Sequence, residues 1–212
     1  MRISRSATAD HRPRLISKQA LICVGGVCSN SGKTSVVELL LKTFSGWAAV
    51  KVTPCRPEHA CPHEVDCGAC EPPSSGYEII ESHETLAVSG KDTARFLEAG
   101  ASRVAWVRSR PELLPDAIRE ALARFSDAPG VVIESTTAIP LINGLRIMVA
   151  AVGELQIKDS AIACKGCVDI LAVNMRGLDE ENDVQQPMSF NARVIHINAK
   201  LPPEHPLNRE FI

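Results

Sequence analysis

No hydrophobic run in the sequence approaches the roughly 20 residues that a membrane-spanning helix needs. An excess of charge of one sign is also missing. The 23 basic residues against 25 acidic ones leave a net charge of −2, so the overall field gives no pull toward nucleic acid or an anionic membrane. The opening stretch MRISRSATADHRPRLISKQ is basic but holds no hydrophobic segment, which argues against a secretory signal. Asp10 argues against a transit peptide, so residues 1–19 are expected to form a flexible, solvated tail. Without an export signal, the eight cysteines read as reduced thiols of a cytoplasmic protein, where clustered cysteines hold metal or do redox work. No internal repeat is visible. What is present, 212 residues of which 45% are apolar, suffices for one sizeable core.

The apolar run ALICVGGV at residues 20–27 has the form of a buried parallel strand. A glycine-containing turn follows, then a helical pattern through Val36, Leu39, Leu40 and Phe44 that Gly46 stops. WAAVKVT at 47–53 is the next strand, completing a βαβ unit. Further strands are expected at 77–82, 103–107, 130–135, 145–152, 168–175 and 192–199, and helices at 90–101, 110–125 and 154–163. Alternating strands and helices predict an α/β fold of three layers, a mostly parallel sheet covered by helices on both faces. The folded domain is expected over 20–200, with a proline- and cysteine-rich insertion at 54–76 and a surface-running tail at 201–212. Ligands of such sheets bind at the carboxyl ends of the strands, which is where residues 26–35, Thr53, Glu134 and Asn174 should gather.

The segment GGVCSNSGKTS at 25–35 is close to the phosphate-binding pattern G-x-x-x-x-G-K-[ST]. Gly32, Lys33 and Thr34 fill its last three places. In such a loop backbone amides wrap the phosphates, the lysine reaches the β and γ phosphates, and the hydroxyl holds magnesium. Ser29, Asn30 and Ser31 are turn formers suited to exposing their amides, Ser35 is placed to reach the α phosphate, and the helix start adds its positive end. Val27 stands where the pattern has its first glycine, a position at which a β-branched residue closes part of the backbone map. Gly25 and Gly26 precede it, so the strand is expected to hand over to the loop one residue early.

Two groups of cysteines fall elsewhere. Cys55, Cys61, Cys67 and Cys70, with His59 and His63 between them, lie in a loop too poor in apolar residues to order itself, and a bound ion would act as its staple. Tetrahedral zinc and an iron–sulfur cluster both use four thiolates, and the spacing does not discriminate between them. CKGC supplies a second pair, Cys164 and Cys167, which can complete a site with Cys67 and Cys70, bridge two subunits, or simply be reduced thiols. Cys23 reads as core and Cys28 as a small filler of the loop.

Taken together, VCSNSGKTSVVELLLKTF, WAAVKVT, GKDTARFLEAGASRVAWV and GVVIES resemble the MobB-like family, the molybdopterin-guanine dinucleotide biosynthesis protein B group of P-loop GTP-binding proteins. The resemblance covers about residues 20–150 and is most specific at Gly90, Lys91, Asp92 and Thr93, followed by Glu98, Ala99, Gly100 and Ala101. The cysteine motifs and Val27 depart from that family's pattern. The resemblance implies a P-loop NTPase fold, GTP or ATP with Mg2+, and a homodimer closing around nucleotide. Lys33 would neutralise phosphate and Thr34 ligate the metal. Glu134 would orient the metal's water or the attacking water, and Asp92 would bind magnesium or cap its helix. Asn174 resembles the residue that reads the base in related NTPases. The expected function is Mg-dependent triphosphate hydrolysis coupled to maturation or delivery of a metal or metallocofactor to a client enzyme or cofactor-synthesis partner. The alternatives are a zinc or Fe–S binding protein with weakened NTPase activity, and a small-molecule kinase using Arg103, Arg108 or Arg110.

Overall fold

The computed structural model describes residues 15, 17–55, 73–152, 157–175 and 190–212. Cys61, Cys67 and Cys70, His59 and His63, and nearly all of the expected N-terminal tail lie outside the described residues. The chain begins with β1 (Ala20–Gly26), α1 (Lys33–Thr43) and β2 (Ala48–Pro54), the expected βαβ unit. It continues through β3 (Tyr77–Ile80), α2 (His83–Leu86), α3 (Asp92–Glu98), β4 (Val104–Ser109), α4 (Leu114–Arg124) and β5 (Gly130–Glu134). The last elements are β6 (Leu145–Ala151), α5 (Asp159–Ala163), β7 (Ile170–Asn174) and β8 (Arg193–Ile197).

The strands form one sheet in the order β3-β4-β2-β5-β1-β6-β7-β8. All neighbours run parallel except β3, which pairs antiparallel with β4 at one edge. The inner strands are mostly apolar because both of their faces are covered, with Lys51 of β2 and Glu134 at the end of β5 among the exceptions. Along β5, Val131 and Ile133 face a core closed by Leu114, Ile118 and Leu122 of α4 and Ala161 of α5. Val132 faces the other core, closed by Val36 and Leu40 of α1, Leu86 of α2 and Phe96 of α3. The period-2 alternation of a strand thus feeds two separate helical layers, giving the three-layer arrangement read from the sequence. Among the described residues no helix is long and apolar enough to cross a membrane.

Two local differences from the sequence reading have simple causes. The helix expected over 110–125 opens as a 3₁₀ turn at Pro111–Leu113, and α4 starts only at Leu114. Pro115 lacks an amide donor and is tolerated only in the first turn, so it fixes where α4 begins. The short α2 has too few residues to show a period and was not anticipated.

β1 lies between β5 and β6, with the chain leaving on opposite sides of it: α1 leads toward β2, while β6 and β7 continue the other way. The carboxyl end of β1 is therefore a switch point, the crevice where open α/β sheets take their ligands.

Residues 201–212 run over the surface but are pinned at two points, Phe211 and the fully buried Asn208. The Asn208 carboxamide nitrogen lies 3.0–3.2 Å from the carbonyls of Asn198, Leu201 and Pro202. Its Oδ1 accepts from the Asn198 amide at 3.1 Å. Asn208→Ala leaves these buried backbone groups unpaired and is expected to destabilise the fold by about 1–3 kcal/mol, read by urea denaturation. A variant as stable as the wild type would mean the anchor contributes nothing.

Candidate functional site

The loop that joins β1 to α1 grows out of the strand without a break in hydrogen bonding. The Val27 amide donates to the Val149 carbonyl at 3.0 Å, and the Val27 carbonyl accepts from the Lys158 amide at 2.9 Å. Val27 is fully buried in the α4-side core. The left-handed backbone of this loop occurs at Asn30, with φ 59°, and at Gly32, with φ 95°. Asn30 is the one non-glycine residue in that region among the described residues, and asparagine tolerates it better than most. Val27 is therefore not asked for the dihedral that would require glycine.

The close approach falls one residue earlier. A Cβ on Gly26 would stand 2.3 Å from Ser31 Oγ and 2.7 Å from Lys33 Cγ. The loop folds back over bare backbone at Gly26, and the Lys33 stem lies along it. On Gly32, a Cβ would meet Asn174 Nδ2 at 2.2 Å. The strand does not hand over early, since β1 runs through Gly26 and Val27 keeps its bond to Val149, and only the close approach falls on Gly26.

Several features of the loop suit an anion. Ser29 and Asn30 are exposed, whereas Ser31 is fully buried and its hydroxyl has no hydrogen-bond partner. Gly32 is the N-cap of α1, with no side-chain cap and no acidic residue in the first turn, so nothing on the helix competes for its amides. Burial holds the Lys33 ammonium below the ordinary lysine value; Glu134 opposes that, while the charges of Lys158 and Lys51 add to it. Lys33 on α1 thus feels the charges of Lys51 on β2 and Lys158 in the turn before α5, alongside those of Glu134 and Asp92.

Beside the lysines lies a knot of four side chains on the α1 face of the sheet. Thr34 Oγ1 is 3.0 Å from Asp92 Oδ1 and 3.2 Å from Glu134 Oε1, its one proton shared between them. Lys51 Nζ donates to Asp92 Oδ2 and lies 3.5 Å from Glu134 Oε2. Pairing of β2 with β5 sets Lys51 directly opposite Glu134. Asp92 is the first residue of α3, whose N-cap is Lys91 with no side-chain cap bond. Its carboxylate therefore does not cap the helix but turns to Thr34 and Lys51.

The charges respond accordingly. Burial pushes the Glu134 carboxyl above its usual range, against the pull of Lys51 and with the help of the neighbouring Asp92. Burial alone would raise Asp92 too, but the Lys51 charge, with hydrogen bonds from Lys51 and Thr34, holds it below. Lys51 itself is raised, because the two carboxylates outweigh its desolvation.

The remaining expected residues take varied places. Ser35 Oγ accepts from Arg95 Nη2 at 3.1 Å, and Arg95 is gripped in turn by Glu38. Asn174 is buried at the carboxyl end of β7, against Gly32, and its Oδ1 accepts from the Ala199 amide at 3.2 Å. Arg103 precedes β4, at the opposite edge of the sheet from the loop, where it pairs with Glu81 and covers the Phe125 ring. This removes it from the kinase candidates.

Of the cysteines, Cys55 is buried just past β2, its amide bonded to the Ser109 carbonyl at 2.8 Å. Cys164 is buried in the turn after α5, with Sγ 3.2 Å from the Thr136 carbonyl and 3.0 Å from the Ser160 carbonyl. Cys167, half-buried, points its sulfur at the Cys164 carbonyl, 3.3 Å away. Burial pushes the Cys23 thiol up, and Cys164 adds to it. Among the described residues no group of three or more His, Cys, Asp or Glu side chains is arranged to hold a metal ion. Thr136 links the second cysteine pair to the loop: its Oγ1 accepts from the Gly26 amide at 3.0 Å while its carbonyl meets Cys164.

Lys51, Arg95 and Lys158 are absent from the residues singled out in the sequence. For Lys51 a signal existed. A lysine within an otherwise apolar strand of a parallel sheet demands a counter-charge, and the nearest strand end carrying a carboxylate is that of β5.

Lys51→Met in metal-free buffer leaves Asp92 and Glu134 without the ammonium that pairs with both, with only the weaker pull of Arg95 on the one and Lys33 on the other. The loss is expected to be about 1–3 kcal/mol near pH 8. Asp92, held below its ordinary value, contributes stability that is present above the ordinary carboxylate range and lost as pH falls through its own lowered one. Glu134, already raised, gains more from protonation once Lys51 is gone. The deficit of the variant should therefore shrink as pH falls toward 4.5. Thermal melts of both proteins across this window check it, and a deficit that grows toward acid pH would contradict it.

No protein-family model matches the chain, and no curated protein matches it.

Proposed function

We propose that the chain is a P-loop NTPase that binds a magnesium–nucleoside triphosphate, ATP or GTP, and hydrolyses it, coupling turnover to a metal or metallocofactor transaction at its cysteines. The observation that carries the reading is the convergence of Asp92 and Glu134 on Thr34 Oγ1, each within hydrogen-bond distance of it, with the charge of Lys33 felt by the same group. One hydroxyl and two carboxylates are hard oxygen donors, the set that magnesium takes alongside phosphate oxygens. The buried hydroxyl of Ser31, unpartnered and folded over Gly26, fits the phosphate side of the same site.

In this reading Lys33 and the amides of residues 29–34 bind the β and γ phosphates. Thr34 and Asp92 would hold the magnesium ion, and Glu134 would orient the attacking water. Magnesium, when bound, withdraws charge from the transferring phosphoryl group. Asn174, against Gly32, would read the base, as the resemblance implies. The resemblance to MobB-like proteins favours GTP and a homodimer, and points to a client enzyme or cofactor-synthesis partner in the cytoplasm. For the coupling, the support is the chain of contacts from Gly26 through Thr136 to Cys164. A shift of the loop on hydrolysis would be felt at the CKGC turn, the kind of local change that biases a switch. Zinc or an iron–sulfur cluster on Cys55, Cys61, Cys67 and Cys70, with or without Cys164 and Cys167, is the thiolate partner in this scheme.

Lys33→Ala should lower phosphate release from ATP or GTP by about 100-fold or more while leaving bound metal per chain unchanged. Hydrolysis at the wild-type rate would refute the assignment of the loop. Cys67→Ser should lower the zinc or iron content of anaerobically purified protein, and lower stability as the loop loses its staple. Unchanged metal content in that variant would move the site to the other cysteine pair.

A further inference from the structure

We propose that Lys51 is a built-in counter-cation of the divalent-ion site. Its ammonium fills the gap between Asp92 and Glu134, and the site takes a divalent cation only when a triphosphate arrives to draw Lys51 away. The inference rests on the reading of the loop as a triphosphate site and adds to it an order of binding and a role for a residue outside the motif.

The geometry is that of a small cation held by two carboxylates. Each carboxylate turns one oxygen to Thr34 Oγ1, Asp92 at 3.0 Å and Glu134 at 3.2 Å. Each turns its other oxygen to Lys51 Nζ, Asp92 in a direct hydrogen bond and Glu134 at 3.5 Å. The carboxylate oxygens that would face a metal, Asp92 as a ligand and Glu134 beside it, are thus engaged by a hydroxyl and an ammonium. Strand pairing holds Lys51 there, since its register partner on β5 is Glu134.

The charge balance decides what this arrangement does. Asp92 and Glu134 together bring two negative charges, and Lys51 cancels one. Lys33 and Lys158 add positive field from the loop side. A divalent cation approaching alone would have to enter beside an ammonium and near two further lysines, at separations where unit charges repel strongly in a half-buried setting. A triphosphate reverses the balance. It gives Lys51 an anionic partner beside Lys33, and the carboxylate oxygens become available. A merely structural salt bridge would have no such consequence, because its ammonium would stay in place whatever bound.

The test is a titration of the full-length chain with Mn2+, followed by loss of the free-ion electron paramagnetic resonance signal. Wild type, Lys51→Met and Lys51→Gln are compared, each with and without a non-hydrolysable triphosphate analogue. Two neutral replacements are used so that one that fails to fold does not decide the matter, and thermal melts select the folded proteins. Wild type is expected to bind Mn2+ weakly alone and much more tightly with the analogue. The Lys51 variants should bind Mn2+ alone at least about tenfold more tightly than wild type, and adding Asp92→Asn should cancel the gain. Folded variants that bind Mn2+ alone no better than wild type would overturn the proposal. So would wild type that binds Mn2+ equally well with and without the analogue. Failure of all three proteins to bind the analogue would instead sink the nucleotide reading, and it is seen in a separate titration of the analogue.

Discussion

The carboxyl edge of the sheet is organised by one electrostatic constraint: two carboxylates, the buried Glu134 and the half-buried Asp92, must share a small space. Unpaired, they would repel each other and one would take up a proton. Lys51 and Thr34 prevent this, and in doing so they tie four elements together. Thr34 belongs to α1, Lys51 to β2, Asp92 to α3 and Glu134 to β5. The knot fixes where α1 starts relative to the strand ends, and therefore where the loop between β1 and α1 opens. The same physics that holds the loop in place supplies the hard oxygen donors that a magnesium site needs.

The entrance of the loop shows how a departure from a motif can be absorbed. Val27 is buried core, bonded on both sides to neighbouring backbone, and the tight approach is made over Gly26 instead. Gly26 is also bonded to Thr136, just beyond Glu134, and the Thr136 carbonyl receives the Cys164 thiol. Loop, Glu134 and cysteine turn are thus connected within a few bonds.

Much of this was legible in the sequence where local chemistry decides. The inner strands are mostly apolar runs, as a parallel sheet buried on both faces requires. Glu134 and Asp92 were legible as the end of a strand and the start of a helix. Lys51 was not, because its meaning depends on β5 lying next to β2, a pairing between residues more than 80 apart in the chain. Arg95, which reaches Ser35, and Lys158, which meets the loop through Val27, were hidden for the same reason. The onset of α4 was misplaced because Pro111 and Pro115 both suit a first turn. The alternative role of Asp92 as a cap could be resolved only by seeing where its oxygens go.

Calorimetric melting of the wild-type chain in the presence of ATP or GTP, each with and without Mg2+, tests the central claim most directly. A site that binds only the folded chain raises the melting temperature, and about 2.7 kcal/mol is gained at 100 times the dissociation constant. The account predicts a clear rise with one triphosphate plus Mg2+ and a much smaller one when either is left out. No shift at millimolar concentrations of either nucleotide, with or without Mg2+, would contradict it.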